Sequence, residues 1–275
     1  MATNQKSAAP KKSQGFTGIR GAFWIIVVCL IAAVCIYQFV LGNPANFQGN
    51  DTANGPVNLL GTIYKGGFVV PIIWTLGLTV LCLSVERYFA MKTAFGKGSL
   101  TKFVANIKAA LKANDFAKAQ QLCDNMKGSV ANVVNASLLA YKDMESGANA
   151  NLKKSQKVAK IQQAHEEATQ LEMPTLQMNL PILATIVTLG TLTGLLGTVL
   201  GMIRSFGAMN AGEGGADSAA LATGISEALV NTASGIATGA VATIAYNYYT
   251  NKIDRLTFSL DEVGFSIVET FNATH

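Results

Sequence analysis

Hydrophobic residues fall into four long runs separated by polar stretches of unequal character. A membrane-crossing helix needs about 20 mainly apolar residues. Residues 22–41 and 179–203 carry no charged side chain, and 68–90 carries only Glu86 and Arg87 near its end. The fourth run, 219–250, is built largely from Ala, Gly, Ser and Thr and holds Glu227 and Asn231. It scores weakly on plain hydropathy. It still reads as a span, because small residues let helices approach closely and polar residues then face a bundle interior. Between the second and third runs the spacing predicts helices. Phe103, Ile107, Ala110 and Leu111 recur at helical intervals, as do Val130, Val133, Val134 and Leu138. Asp115 reads as an N-cap, and Gly128 and Gly147 as breaks. From about 150 to 177 a charged helix carries Lys153, Lys154, Lys157 and Lys160 ahead of Glu166, Glu167 and Glu172. It reads as a salt-bridged stalk, with a docking surface for a regulator as the alternative. It is predicted to run on into the third span, with kinks at Pro174 and Pro181.

Composition agrees. Half the residues are hydrophobic and 13% are charged, against about 25% in a soluble domain. Mean hydropathy is +0.32. This excludes a disordered chain, a disulfide-stapled scaffold and most soluble enzymes. The net charge of +5 invites a nucleic-acid reading, but its distribution answers it. Lys and Arg number four in 1–21, one in 42–67, twelve in 91–178, one in 204–218 and two in 251–275. Basic residues mark the cytoplasmic side. The expected organisation is therefore a cytoplasmic basic tail over 1–21 and spans at 22–41, 68–90, 179–203 and 219–250. Periplasmic loops lie at 42–67 and 204–218, a helical cytoplasmic domain at 91–178 and a cytoplasmic tail at 251–275. With topology explaining the charge, no nucleic-acid partner is expected; membrane lipid is. The first run follows the basic residues Lys6, Lys11, Lys12 and Arg20, but its 20 apolar residues exceed the 7–15 of a cleaved signal. It reads as a retained anchor. Cys29, Cys35, Cys82 and Cys123 read as reduced apolar fillers. His165 reads as a surface helix residue, and with His275 alone it forms no metal cluster.

On a helical wheel of about 100° per residue, Thr188, Thr191, Leu195, Thr198 and Ser205 of the third span fall within about a 100° arc. Gly190, Gly194, Gly197 and Gly201 fall beside them within about 60°, a groove suited to close helix contact. On the fourth span Thr223, Glu227, Asn231, Ser234 and Thr238 share an arc of about 80°, flanked by Gly224, Gly235 and Gly239. Hydroxyls in lipid need partners or water. Glu227 is the most demanding residue, because an acid at mid-span costs at least about 2.5 kcal/mol on insertion scales. Two readings stand. Either it marks an ion or proton pathway, or it ties helices together as a hydrogen-bonded acid. One chain supplies too few polar helices to enclose a path, and a homo-oligomeric ring would supply more.

The third span ends Gly194-Leu195-Leu196-Gly197-Thr198-Val199-Leu200-Gly201-Met202-Ile203-Arg204-Ser205-Phe206. The fourth contains Gly224-Ile225-Ser226-Glu227-Ala228-Leu229, then Thr232-Ala233-Ser234-Gly235, and closes on Tyr246-Asn247. Over roughly 65–255 the chain resembles the ExbB/TolQ proton-channel family, of which the flagellar stator MotA is a distant relative. The resemblance implies an all-α fold: a polytopic membrane protein with a helical cytoplasmic domain, assembled as a pentameric ring in the bacterial inner membrane, both termini cytoplasmic. It also implies a single-span partner of the ExbD/TolR type with an intramembrane Asp, a TonB-type protein beyond it, and protons as the only species handled, with no cofactor. Thr198 matches the family's pore threonine; Glu227 and Thr232 match its functional acid and threonine. Asn231, Thr191, Ser234 and Thr238 join them as candidate pathway residues. The wheel sets Thr232 about 140° from Glu227, so it lines a wide pore or sits at a helix contact. Gly190-Thr191 and Val241 stand where relatives carry prolines, and 22–41 is extra to the three-span plan.

The leading expectation is thus a proton-driven motor subunit of ExbB type, serving TonB-dependent uptake first, with Tol-type envelope maintenance or surface motility behind it. A non-conducting scaffold is the rival. An enzyme finds no nucleophile–base pair, metal cluster or phosphate loop in the sequence.

Overall fold

The computed structural model describes residues 21–52, 54–145, 149, 151–211 and 218–274. The basic tail over 1–20, the break at Gly147, positions 212–217 of the second loop and His275 lie outside the described residues. Regular structure among the described residues is helical, with Phe47 and Pro56 joined by an isolated bridge. Four helical segments are long and apolar enough to cross a membrane: Ala22–Leu41, Val69–Ala94, Leu180–Gly207 and Leu221–Thr274. The described residues form two compact units, one from 21–86 and 179–249, the other from 87–178 and 250–274.

In the first unit, α1 (Ala22–Cys35) passes into a π-helical turn, Ile36–Leu41. Asn46 caps that end, donating through Nδ2 to the carbonyls of Val40 (2.8 Å) and Leu41 (3.0 Å). Asn58 donates to Asn46 Oδ1 and, with its own Oδ1, accepts from Gly61 N at 3.0 Å to start α2 (Leu59–Lys65). The described residues of the loop expected over 42–67 are therefore tied by asparagines to the last turn of the first span. Gly67, at φ +76°, turns the chain into α3 (Val69–Ala94). The two remaining spans are α8 (Leu180–Ala211) and the front of α9 (Ser218–Thr274).

The second unit holds α4 (Leu100–Lys112), α5 (Phe116–Met126), α6 (Gly128–Glu145), α7 (Lys154–Gln177) and the rest of α9. Asp115 Oδ1 accepts from Lys118 N at 2.9 Å and caps α5. Gly128, at φ +86°, lets α6 begin directly beyond α5. Four readings of the sequence need correction. The stretch read as a tail at 251–275 is helix over its described residues: α9 runs unbroken from the fourth span, burying Ile253, Leu256, Leu260, Val263, Ile267 and Phe271. Their three-and-four spacing is a helix-packing stripe. The loop expected from 204 begins later, because α8 continues through Ala211. Helix α7 does not run into the third span. It stops at Gln177, and Asn179 adopts φ +65°, a left-handed conformation that asparagine tolerates and a helix does not. Buried Arg87 reaches the carbonyls of Thr175 and Leu176 in that last turn, at 3.3 and 3.4 Å, placing a cation on the negative end of α7.

The fourth correction is His165, which is 7% exposed rather than on the surface. Ser137 Oγ lies 2.9 Å from its Nδ1 and donates its own proton to Val133 O at 3.0 Å. The buried Nε2 of His165 has no hydrogen-bond partner and faces Gly264, where a Cβ would come within 2.5 Å. The sequence signal was indirect: a glycine at 264 inside the buried stripe of α9. Burial pushes the imidazole below its ordinary range, with Asp261 and Glu166 pulling the other way. Neutral His165 contributes stability present above the ordinary histidine value of about 6.5 and lost as pH falls below it. The melting temperature of the purified chain should therefore drop between about pH 7.5 and about pH 5.5. In His165→Gln that component of the drop should be gone; an unchanged pH profile in the variant would refute the assignment.

Candidate functional site

The site is built where α8 and α9 lie almost backbone to backbone. A Cβ at Gly235 would sit 2.5 Å from Gly190 O and 2.7 Å from Gly194 Cα. One at Gly239 would sit 2.9 Å from Val187 O, one at Gly197 2.6 Å from Asn231 Cβ, and one at Gly201 2.7 Å from Ala228 Cβ. Only hydrogen fits at these positions. Each side chain removed lets the helix axes draw closer, which is how membrane helices gain contact without a hydrophobic drive.

That approach brings two hydroxyls together. Thr198 Oγ1 and Thr232 Oγ1 are in direct hydrogen-bond contact. Around them lie two backbone acceptors, Gly194 O at 3.1 Å from Thr232 and Ala228 O at 3.5 Å from Thr198. Thr232 therefore sits at the contact between the two helices. Thr198 also opens onto a shallow apolar groove along α8 lined by Val199, Met202, Ile203 and Phe206.

The other polar residues of the fourth span divide. Asn231 is 3% exposed and donates through Nδ2 to Gly66 O at 3.0 Å, so it ties α9 to the end of α2. Thr238 donates to Ser234 O at 3.0 Å and faces Gly77 of α3, where a Cβ would lie 3.5 Å from its hydroxyl. Ser234 is half-buried. Thr191 is exposed on α8, 3.5 Å from Val187 O, with its hydroxyl bordering Gly239. Asn231 and Thr238 thus meet the end of α2 and α3 of the same chain, whereas the opposite face of α9 exposes Leu229, Ile236 and Ile244.

Glu227 is half-buried one turn before Asn231. The cations acting on it are Lys65, at the end of α2, and Arg204, near the end of α8. Arg204 lies over the Phe68 ring at 5.9 Å, Lys65 over Phe47 at 5.8 Å. Sequence reading missed this pair. The signal was there, because they are the single basic residues of 42–67 and 204–218, counted there only for orientation. No group of three or more metal-ligating side chains occurs among the described residues.

Residues 135–262, which hold Thr198, Glu227 and Thr232, match the MotA/TolQ/ExbB proton channel family. That match covers just under half of the chain, and over it the chain is similar to that family. The biopolymer transport protein ExbB-like 3 of Synechocystis sp. is 46% identical over 84 residues, 30% of this chain and 40% of the relative. An ExbB homolog of Methanothermobacter thermautotrophicus is 23% identical over 203 residues, 72% of this chain and 66% of the relative. The chain thus spans 40% and 66% of the length of these relatives. The four helices long and apolar enough to cross a membrane, together with this likeness, support a multi-pass membrane protein.

The glycine contact makes a sharp prediction. Gly235→Ala should destabilise the chain by about 1–3 kcal/mol, the usual range for overpacking. Gly207→Ala, where a Cβ meets nothing within 4 Å, should melt like the wild type. Equal melting of the two variants would refute the close approach.

Proposed function

We propose that this chain is a non-enzymatic proton-channel and motor subunit of ExbB type. It works as a homo-oligomeric, pentameric ring in the bacterial inner membrane, with both termini and the helical domain in the cytoplasm. Within the ring sits an ExbD/TolR-type single-span partner whose intramembrane Asp exchanges protons with the site. The work done on a TonB-type protein then drives transport across the outer membrane. Tol-type envelope maintenance and surface motility are the alternative machines for the same ring.

The observation that carries this reading is the Thr198–Thr232 hydroxyl pair, placed between two glycine-packed helices and open on the Thr198 side to a groove. Each hydroxyl can accept a proton on one side while releasing its own on the other, which passes a proton along, and reorientation toward a carbonyl or its neighbour then resets the pair. The groove's apolar wall suits a helix, and its polar end suits an acid carried by that helix. Glu227, near Arg204 and Lys65, supplies a second exchangeable proton site toward the loop end of the spans.

The experiment is proton flux in vesicles holding the full chain with its neighbouring single-span protein. Thr198→Ala and Glu227→Gln should each lower flux about tenfold, the effect of one hydrogen bond of about 1.4 kcal/mol. The assembled ring should survive in both, read by native mass spectrometry. Wild-type flux in both variants at normal assembly would leave the scaffold reading in its place.

A further inference from the structure

The last turn of the first span is a π-helix, Ile36–Leu41. Single π turns redirect side chains and recur at functional sites. Here the turn presents Tyr37. Its ring stacks on Tyr64 at 4.6 Å, with 21° between planes, and its hydroxyl donates to Tyr64 O at 3.0 Å. Tyr64 also meets Phe47 edge-on at 5.5 Å. On the other side of Lys65, Gly66 O accepts from Asn231 at 3.0 Å. The backbone at Lys65 is thus held by a side chain from the first span on one flank and by one from the fourth span on the other.

Lys65 acts electrostatically on Glu227, one turn from the Asn231 that holds Gly66, and Tyr37 lies within electrostatic reach of both Arg204 and Glu227. Among the described residues, Lys65 of α2, Arg204 of α8 and Tyr37 of the first span act electrostatically on Glu227, and Tyr64 of α2 acts on Tyr37. The space at this corner is tight. A Cβ at Gly42 would come within 2.6 Å of the Tyr64 ring, one at Gly66 within 2.5 Å of Asn231 Oδ1 and one at Gly67 within 2.7 Å of Arg204. The end of α2 has little room to shift unless one of its two anchors is lost.

We propose that Tyr37 is a positioning residue for Glu227: through its π-turn and its bond to Tyr64 it fixes Lys65 within electrostatic reach of the acid, giving the first span a part in the proton site. The proposal rests on Glu227 being the proton site proposed above. Its test reads the protonation of Glu227 directly, so its failure is distinct from a failure of proton flux.

The measurement is the infrared carboxyl band of Glu227 in the full chain in lipid, assigned by its loss in Glu227→Gln and followed against pH. A nearby cation favours the carboxylate, so Lys65→Met should move the midpoint of the band about one unit to higher pH. Tyr37→Phe keeps the stacked ring and loses only the hydroxyl. It should move the midpoint the same way by a smaller step. In Tyr37→Phe/Lys65→Met the midpoint should match Lys65→Met alone, because the two residues act through one contact. A wild-type midpoint in Tyr37→Phe would overturn the proposal. So would full additivity in the double variant, since Tyr37 would then reach Glu227 by another route.

Discussion

The contact between α8 and α9 through Gly190, Gly194, Gly235 and Gly239 is the constraint on which the rest of the membrane unit depends. Lipid is as apolar as the helices, so burial of apolar surface does little to hold spans together. What holds them is close van der Waals contact, and that needs hydrogen where other residues carry Cβ. With the backbones drawn this close, Thr198 and Thr232 meet, and Asn231 settles against Gly197. A larger side chain at Gly235 or Gly194 would part both pairs at once.

From that contact the polar groups sort by what they face. Asn231 satisfies the carbonyl of Gly66, which a helix end would otherwise leave bare in an apolar setting. Thr238 and several other threonines return their protons to the carbonyl four residues back, the usual resort of a hydroxyl in lipid. Against this background Thr198 and Thr232 stand out, because their hydroxyls meet across two helices. Glu227 stands out as the acid with cations arriving from two other elements.

Helices α3 and α9 each contribute residues to both units. Helix α3 continues past Glu86, and α9 continues past Tyr249 without a break. The second unit's own core is conventional: an apolar stripe on α9 packed in among α4–α7, closed by Phe116, Tyr141 and Phe271. Lys154 Nζ binds Asn272 O at 2.7 Å and so places a cation on the final turn of α9. Buried His165 is the exception, a titratable group in an apolar seam with one nitrogen bare.

Sequence alone determined the four apolar segments, the helical class, the glycine grooves and the family motif with Thr198, Glu227 and Thr232. These follow from local rules: lipid demands length and apolarity, and helical period sets which residues share a face. Tertiary structure alone decided what those faces meet. The wheel put Asn231 and Thr238 in one stripe with Glu227, but the fold turns both toward α2 and α3. It put Thr232 far from that stripe, yet the glycine contact joins it to Thr198. It gave no reason to connect Tyr37, Lys65 and Arg204 with Glu227, since they lie on three separate elements. The break at Asn179 and the burial of His165 escaped for the same reason. A wheel reports direction about one helix axis, whereas each of these facts depends on the neighbour standing in that direction.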